Sequence, residues 1–403
     1  MAAVIPIRSA SVAPAPTFIG PPPLALYVHW PWCVKKCPYC DFNSHEVRAS
    51  VNHAVSHAVD QATYLAALIA DLESALPAIW NRPVTSVFIG GGTPSLMSGA
   101  TVDALLAAIR MRVPLLPDAE ITLEANPGAA DAERFAEFRA AGVNRLSVGV
   151  QSFDDEKLRA LGRIHDSHQA QHAVEAALKH FERVNLDLMY ALPQQSLAEV
   201  ERDLRLAVES GVGHISAYHL TVEPNTAFHH RPPPLPDEDL ATDMQECVER
   251  RLAAAGFLHY ETSAFARPGQ SCRHNLNYWC FGDYLGIGAG AHSKLSDHAR
   301  MWREAREAHP RAYLQAAQRG EFAIAQCEIA AADLAGEFMM NALRLIEGFE
   351  PRLWVERTRL PLAAIEESLQ AAQRDGLLEV SALRIAPSAR GQRFLNRLLH
   401  YFL

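Results

Sequence analysis

The stretch YVHWPWCVKKCPYC, residues 27–40, places three of the chain's seven cysteines within eight positions. The spacing is C-x3-C-x2-C, and Asp41 and Phe42 follow instead of a fourth cysteine. Thiolates hold both zinc and iron–sulfur clusters, and three of them leave one iron of a [4Fe–4S] cluster open to a small molecule. The alternatives are a zinc site completed by His29 or His45, or three unrelated thiols. Structural zinc usually comes with paired C-x2-C units, so the spacing favours the open cluster.

Six apolar runs recur along the chain, and each is followed by a polar or Gly-rich turn and a helical pattern. They predict strands at residues 24–30, 85–91, 120–126, 145–152, 184–193 and 214–220. Amphipathic segments such as 63–76 and 131–142 lie between them, and Gly142 is a predicted C-cap. Strands that alternate with helices form parallel βαβ units. Eight strands are not evident, so the expected fold is α/β, a partial (β/α)6 TIM-like barrel.

Polar residues cluster where these predicted strands end. The cysteines, the segment GGGTP at residues 90–94, Glu124, Gln151 and Asp187 all follow or close a strand. Active sites of (β/α) barrels form at the carboxyl ends of the strands. Glycines at a strand end also let the backbone approach a ligand closely. The pattern therefore predicts a ligand site at this rim.

Three regions are expected along the chain. Residues 1–22 form a Pro/Ala-rich flexible tail, residues 23–295 form the core barrel with a loop-rich stretch at 271–293, and residues 296–403 form a helical C-terminal domain. In the last region, helical patterns are followed by two short strands, 377–381 and 382–387, and by a final helix at 391–403. This order is typical of a winged-helix-like domain. Its mixed charges argue against DNA binding.

The bulk composition sets further limits on function. The chain has 403 residues, of which 49% are hydrophobic and 21% are charged, and its formal net charge is −9. These values are typical of a soluble globular protein, and they provide no basic excess for nucleic-acid binding. No apolar run reads as long enough to cross a bilayer, and the N-terminal residues lack the apolar core of a signal peptide. We therefore expect a cytoplasmic protein with reduced cysteines that does not span a membrane.

The segments YVHWPWCVKKCPYCDF and FIGGGTPS together resemble the radical S-adenosylmethionine (SAM) superfamily. The resemblance implies that Cys33, Cys37 and Cys40 hold a [4Fe–4S] cluster whose open iron binds the amine and carboxylate of SAM. SVGVQSFDDEKLRALGRIHDS and NLDLMYALP resemble the branch that contains oxygen-independent coproporphyrinogen III dehydrogenase. Matching this branch implies SAM contacts at Tyr27, Gly92, Thr93, Glu124, Gln151, Arg163 and Asp187.

The segment HNLNYW, residues 274–279, resembles a motif of the HemW family of heme chaperones. CDFNSH and YLGIGAGAHS are similar to that family too, and the likeness covers nearly everything from residue 22 onward. It implies a heme site that includes His274, Asn275, Tyr278 and Trp279. An imidazole can be an axial iron ligand, and aromatic rings offer flat faces to a porphyrin. Cys272 and Cys280 are further candidate iron ligands. The alternative is a hydrogen-bonded core histidine and two core aromatics.

Two rivals to a heme chaperone remain. The dehydrogenase carries an extra cysteine two positions after the third, where this chain has Phe42, and a longer region ahead of its cluster than the 32 residues that precede Cys33. We therefore expect a chaperone without dehydrogenase activity, with heme and recipient apo-hemoproteins such as respiratory enzymes as partners. The second rival is a non-catalytic zinc scaffold. Transient contact with membrane hemoproteins and formation of a homodimer are left open.

Overall fold

The structure is a computed structural model, and it describes residues 20–47 and 60–403. The predicted tail, residues 1–22, therefore lies almost entirely outside the described residues. The strands are β1 (Leu24–Trp30), β2 (Trp32–Cys33), β3 (His45–Glu46), β4 (Val84–Gly91), β5 (Leu115–Ala125), β6 (Arg145–Gln151), β7 (Arg183–Tyr190), β8 (His214–His219), β9 (Leu258–Glu261), β10 (Ala264–Ala266), β11 (Asp283–Ile287), β12 (His292–Ser296), β13 (Met301–Arg306), β14 (Ala323–Glu328), β15 (Leu378–Val380) and β16 (Ile385–Pro387).

Helices fill most of the connections between strands. They are α1 (Gln61–Ala75), α2 (Gly99–Arg112), α3 (Ala129–Ala141), α4 (Asp155–Ala160), α5 (Ser167–His180), α6 (Leu197–Glu209), α7 (Ala227–His230), α8 (Glu238–Ala254), α9 (Arg273–Trp279), α10 (Pro310–Arg319), α11 (Leu334–Ala342), α12 (Pro351–Thr358), α13 (Glu366–Arg374), α14 (Ala389–Arg393) and α15 (Leu395–Leu399). Three short 3-10 helices span Leu76–Ile79, Pro94–Leu96 and Leu362–Ile365. Gly142 ends α3 in the left-handed conformation with φ 108°, as predicted.

Six parallel strands follow one another in space in the order β1-β4-β5-β6-β7-β8. This arrangement confirms the α/β fold and the partial six-stranded barrel, because each predicted strand lies within a few residues of an observed one. The sheet is larger than predicted. β11 pairs with β1 in parallel and is followed by antiparallel β12, β13 and β14, while β10 and β9 extend the other edge. Neighbouring parallel strands bring all their carboxyl ends to one rim.

Helix α1 packs on the sheet through Tyr64, Leu68 and Leu72, which are at most 1% exposed. Together with the 3-10 turn after it, this segment (Gln61–Ile79, mean hydropathy 1.3) is long and apolar enough to span a membrane by composition alone. The sequence reading expected no such run. Its burial against the barrel strands explains the apolar composition, because a helix that packs on a sheet needs an apolar face.

The stretch expected to be loop-rich, residues 271–293, instead contains α9, strand β11 and the start of β12. β11 extends the sheet beside β1, with Leu26 paired to Leu285. Its first residue, Asp283, is fully buried and forms ion pairs with Arg82 (2.9 Å) and Lys294 (3.0 Å). Strand β11 was not predicted because its surroundings are Gly-rich and its partner, β1, lies more than 250 residues earlier in the chain.

The C-terminal region forms a second hydrophobic cluster around Phe338, Trp354 and Ile385. As predicted, it contains helices and an antiparallel hairpin, β15–β16. The expected final helix is interrupted at Phe394, which separates α14 from α15. Strand β12 spans the expected domain boundary at residue 295, and the sheet continues to Glu328. The predicted division into two domains at residue 295 therefore stays a prediction.

Candidate functional site

The three cysteines lie on one short loop beyond the carboxyl end of β1. Cys33 belongs to β2, which pairs with β3 in parallel. The two ends of the cysteine loop therefore lie side by side. The Cys40 N–H donates to the Cys37 carbonyl (3.1 Å), and Lys36 Nζ donates to the Phe42 carbonyl (2.9 Å). All three thiols are half-buried and free of disulfides. The loop thus presents three thiols from one tightly folded segment.

The chemistry of these donors suits a cluster better than a single ion. Within residues 20–47 and 60–403, no three or more His, Cys, Asp and Glu side chains are arranged to hold one metal ion. Zinc requires all its ligands at about 2.0–2.3 Å from one point. A [4Fe–4S] cluster places each thiolate on a different iron, so the thiols need not converge. The three thiols therefore need not meet at one point in order to hold a cluster.

The Gly-rich turn after β4 packs directly beneath the cysteine loop. The Gly92 N–H donates to the Trp30 carbonyl (2.6 Å), and the Thr93 N–H donates to the Trp32 carbonyl (2.8 Å). A Cβ atom on Gly92 would lie 2.5 Å from the Trp32 carbonyl oxygen, which is too close for any side chain. Thr93 Oγ1 in turn donates to Cys33 Sγ at 3.5 Å. Glycine is required here because two backbone segments touch.

Asn126, at the end of β5, links two of the predicted SAM contacts. Its Nδ2 donates to Thr93 Oγ1 (3.0 Å), and its Oδ1 accepts from Arg163 Nη2 (2.8 Å). Arg163 also donates to the Gly149 carbonyl (2.7 Å) and to Cys37 Sγ (3.7 Å). A continuous set of contacts therefore joins Cys33 to Cys37. Sequence reasoning missed Asn126, although its position directly after LEA, at a strand end, was a usable signal.

Two half-buried carboxylates, Glu124 on β5 and Asp187 on β7, interact inside the barrel. Burial, and then the charge of Asp187, raises the pKa of Glu124 to about 8, while the Gly91 N–H donates to Glu124 Oε2 (3.1 Å). Burial also raises the pKa of Asp187, which accepts from Ser147 Oγ (3.0 Å) and Asn185 Nδ2 (2.9 Å). A ligand that carries an ammonium group or hydroxyls would stabilise these carboxylates, since neither is well solvated.

Tyr27 and Gln151 complete the predicted set. The Tyr27 hydroxyl hydrogen-bonds with His29 Nδ1 (3.0 Å), and burial, followed by the charge of Glu124, raises the Tyr27 pKa. Gln151 ends β6 with φ 69°, a left-handed conformation that is unfavourable for a residue with a side chain. A Cβ atom on Gly149 would lie 3.0 Å from Gln151 Nε2 and 3.5 Å from Arg163 Nη2. The structure thus places five of the seven predicted SAM contacts at the cysteine rim, while Tyr27 and Asp187 lie deeper in the barrel, three residues before the ends of β1 and β7.

The HNLNYW segment lies at the opposite end of the barrel. It forms α9, and His274 Nδ1 hydrogen-bonds with Ser86 Oγ (3.0 Å) near the start of β4. Five residues separate Ser86 from Gly91 at the cysteine rim, which is roughly 16 Å along a strand. His274 is 2% exposed, and burial lowers its pKa to about 3. The structure therefore does not bring His274 to the cysteines or expose its imidazole to a porphyrin.

Asn277 of this motif is 8% exposed, and its remaining residues are half-buried and contact protein. The Tyr278 ring lies 4.3 Å from the Tyr284 ring, and the Arg344 guanidinium lies 4.5 Å above the Trp279 ring. Asn275 is half-buried on the same helix. Of the two further cysteine candidates, Cys272 is 1% exposed and Cys280 is half-buried. In this arrangement protein side chains cover ring faces that the sequence assigned to heme.

Two family models match the chain. Residues 27–207 match the radical SAM superfamily, and residues 329–394 match the HemN C-terminal domain. Over 387 residues, the chain is 46% identical to the heme chaperone HemW of Escherichia coli (strain K12), which covers 95% of this chain and 98% of that protein. The chain belongs to the HemW family. The radical SAM match includes all three cysteines and all seven predicted SAM contacts, and it ends before α9.

Other HemW proteins are similar over the same length. The heme chaperone HemW of Haemophilus influenzae (strain ATCC 51907 / DSM 11121 / KW20 / Rd) is 44% identical over 95% of this chain and 98% of its own. HemW of Mycobacterium tuberculosis (strain ATCC 25618 / H37Rv) is 36% identical over 99% of this chain and 98% of its own. Among solved structures, coproporphyrinogen III oxidase (HemN) from Escherichia coli has a TM-score of 0.80 at 24% identity, and the match covers 96% of this chain and 92% of that one. At this identity the likeness shows the fold alone.

Proposed function

We propose that this protein is a heme chaperone that binds heme and passes it to apo-hemoproteins such as respiratory enzymes. The observation that carries the proposal is the 46% identity, over nearly the whole of both chains, to a protein named a heme chaperone. The rim supports it, because an unbroken set of contacts joins Cys33 to Cys37 through residues that include two to which the resemblance assigns SAM contacts. Heme is the cargo in this proposal.

Cys33, Cys37 and Cys40 would hold a [4Fe–4S] cluster, and the iron without a thiolate would take the amine and carboxylate of SAM. When bound and reduced, the cluster supplies the electron that cleaves SAM in this superfamily. The protein's own part is to position the nucleoside. Arg163 is the cation that suits the SAM carboxylate, while Glu124 and Asp187 suit its ammonium and ribose hydroxyls. Tyr27, Gly92, Thr93 and Gln151 would line the same pocket.

For the heme, we propose a contribution from the α9 motif, His274, Asn275, Tyr278 and Trp279. Because His274 is buried and bonded to Ser86, an axial bond to iron would require α9 to leave its place on the barrel. If the motif instead supports heme binding by holding α9 in its place on the barrel, no such movement is needed. Tyr278 and Trp279 are half-buried, so a porphyrin would reach them with less rearrangement of α9 than it would need to reach His274.

The rival function is oxidative decarboxylation of coproporphyrinogen III. Phe42, which is 59% exposed beside the cluster loop, stands where that enzyme carries a further cysteine. Anaerobic incubation with reconstituted cluster, SAM, a reductant and coproporphyrinogen III separates the two functions. We expect no protoporphyrinogen above the level of a sample without protein. Production of protoporphyrinogen would establish the rival.

The test of the chaperone function is a heme titration of anaerobically reconstituted protein, followed by addition of a purified apo-hemoprotein. We expect a saturable heme absorption band for the protein and its decrease as the holo-hemoprotein forms. Titration of cluster-free protein and of protein with SAM shows whether the rim influences binding. Failure of the reconstituted protein to bind heme, or to release it to any apo-hemoprotein, would refute the proposal.

The remaining expectations concern the surroundings of the protein. A cytoplasmic location, transient contact with membrane hemoproteins and a homodimer stay predictions. Fractionation of cells and size-exclusion chromatography with and without heme test them directly.

A further inference from the structure

Four aromatic rings form a column inside the barrel, from α9 to the rim. The His274 ring lies 5.1 Å from Tyr278 on its own helix and 5.0 Å from Phe88 on β4. Phe88 stacks on Tyr27 at 6.4 Å and 27°, and Tyr27 lies 6.5 Å from His274. Tyr27 and Phe88 are paired neighbours on β1 and β4. The imidazole is therefore packed against the two rings above it.

His274 is held in one place from two directions. Its Nδ1 hydrogen-bonds with Ser86 Oγ (3.0 Å), and its backbone N–H donates to Glu120 Oε1 (3.2 Å) on β5. Glu120 is itself anchored by Arg183 at 2.9 Å. Since side chains in such a close-packed interior transmit displacements to their neighbours, a fixed imidazole also fixes the rings that touch it.

The upper end of the column touches the Gly-rich turn. A Cβ atom on Gly90 would lie 3.0 Å from Phe88 Cε1 and 3.1 Å from the Glu124 carboxyl. Phe88 and Glu124 therefore lie against the same point of the backbone, just before Gly91 and Gly92. Above Phe88, the Tyr27 hydroxyl bonds with His29, whose Nε2 bonds with the Asn43 carbonyl of the cysteine loop (3.0 Å). The column thus ends on both loops of the proposed SAM pocket.

We infer that His274 is a positioning residue that holds Phe88 and Tyr27 in place beneath the SAM pocket, and that it supports heme binding from inside the barrel without ligating the iron. The inference rests on the proposed function for the identity of the two ligands. In this role the imidazole acts through packing against Phe88 and through its hydrogen bond with Ser86. SAM affinity is the property that this role would change and that an iron ligand would leave unchanged.

Replacing His274 by Ala would leave a cavity beside Phe88 and remove the partner of Ser86. Buried neighbours relax into such cavities only in part, and a lost hydrogen bond adds to the effect. We expect SAM to bind about 5–10-fold more weakly to the His274→Ala protein. The reason is that Phe88 and Tyr27, beneath the proposed SAM pocket, are then no longer held in one arrangement. Ser86→Ala should weaken SAM binding in the same direction by about 2–5-fold.

The deciding variant is His274→Phe, which keeps a ring beside Phe88 and has no atom that can bind iron. We expect its SAM dissociation constant to lie within about threefold of the wild-type value, and its heme absorption spectrum to match the wild-type spectrum. His168→Ala, an exposed imidazole on α5, is the matched control and should change neither measurement. SAM binding is measured by equilibrium dialysis on cluster-reconstituted protein, and the thermal midpoint of each variant is followed to exclude unfolding.

Two results would overturn the inference. One is an unchanged SAM affinity in both His274→Ala and Ser86→Ala. The other is a shifted or lost heme band in His274→Phe while SAM affinity stays normal, because that result identifies an iron ligand. If the wild-type protein binds no heme at all, the proposed function fails, yet the SAM measurements still decide the positioning role. If His274→Ala does not fold, Ser86→Ala and His274→Phe carry the test.

Discussion

Asn126 offers the sharpest test of the assembled rim, because it joins Thr93 to Arg163 and was not singled out by any sequence motif. Asn126→Ala removes one neutral hydrogen bond (3.0 Å) and one bond to a guanidinium (2.8 Å). Such bonds contribute about 1 kcal/mol and about 1.5–3 kcal/mol, respectively. Arg163 keeps its bond to the Gly149 carbonyl, and the half-buried site admits water. We therefore take about 2 kcal/mol as the upper limit of the effect on SAM binding, which is roughly 30-fold in an equilibrium constant.

The assay is SAM binding to anaerobically reconstituted protein, with iron content measured on the same samples. We expect Asn126→Ala to bind SAM more weakly, by up to about 30-fold, while its cluster content stays near that of the wild type, since no thiol is removed. Asn126→Asp keeps the acceptor for Arg163 and loses the donor to Thr93, so it should lose only about fivefold. Asn396→Ala, the same change at an exposed position on α15, is the control and should have no effect.

The reasoning about this bridge is refuted if Asn126→Ala binds SAM as the wild type does with normal iron content. Equal losses in Asn126→Ala and Asn126→Asp would show that the bond to Thr93, and not the one to Arg163, carries the effect. A loss of iron in both variants would instead place Asn126 in cluster retention.

Three further predictions concern the same rim. Cys37→Ala should abolish the visible absorbance of the cluster, because two thiolates anchor a cubane poorly, whereas Cys327→Ala, at an exposed position on β14, should leave it unchanged. Glu124 has a folded pKa of about 8, above its ordinary value of 4.5, so its stabilisation of the ligand-free protein is present below pH 4.5 and is lost as pH rises towards 8. Glu124→Gln should flatten this fall in thermal midpoint between pH 6 and pH 8.5, and an unchanged slope would contradict the assignment. Gly92→Ala should cost about 2 kcal/mol or more and weaken SAM binding, because its Cβ would meet the Trp32 carbonyl at 2.5 Å; denaturant unfolding and dialysis measure the two effects.

Much of the barrel could be predicted from local pattern. Six strands and their helices were recognised because the strands are nearly continuous apolar runs, buried along most of their length, while the helices between them show apolar residues at helical spacing. The antiparallel extensions were missed because β11 to β14 are short or polar, and they form by pairing with distant strands. Buried ion pairs such as Asp283 with Lys294 leave no periodic signal either.

The sequence by itself determined which atoms are available: three closely spaced thiols, a run of glycines, and single polar residues at successive strand ends. Chain connectivity is enough for these, because neighbouring parallel strands must bring their carboxyl ends to one edge. Only the tertiary structure decided which residues touch. It joined Thr93 to Arg163 through Asn126, and it placed His274 at the far end of the barrel from the cysteines. Spacing along a chain carries no information about which end of a barrel a returning helix will close, since that choice depends on packing among residues far apart in sequence.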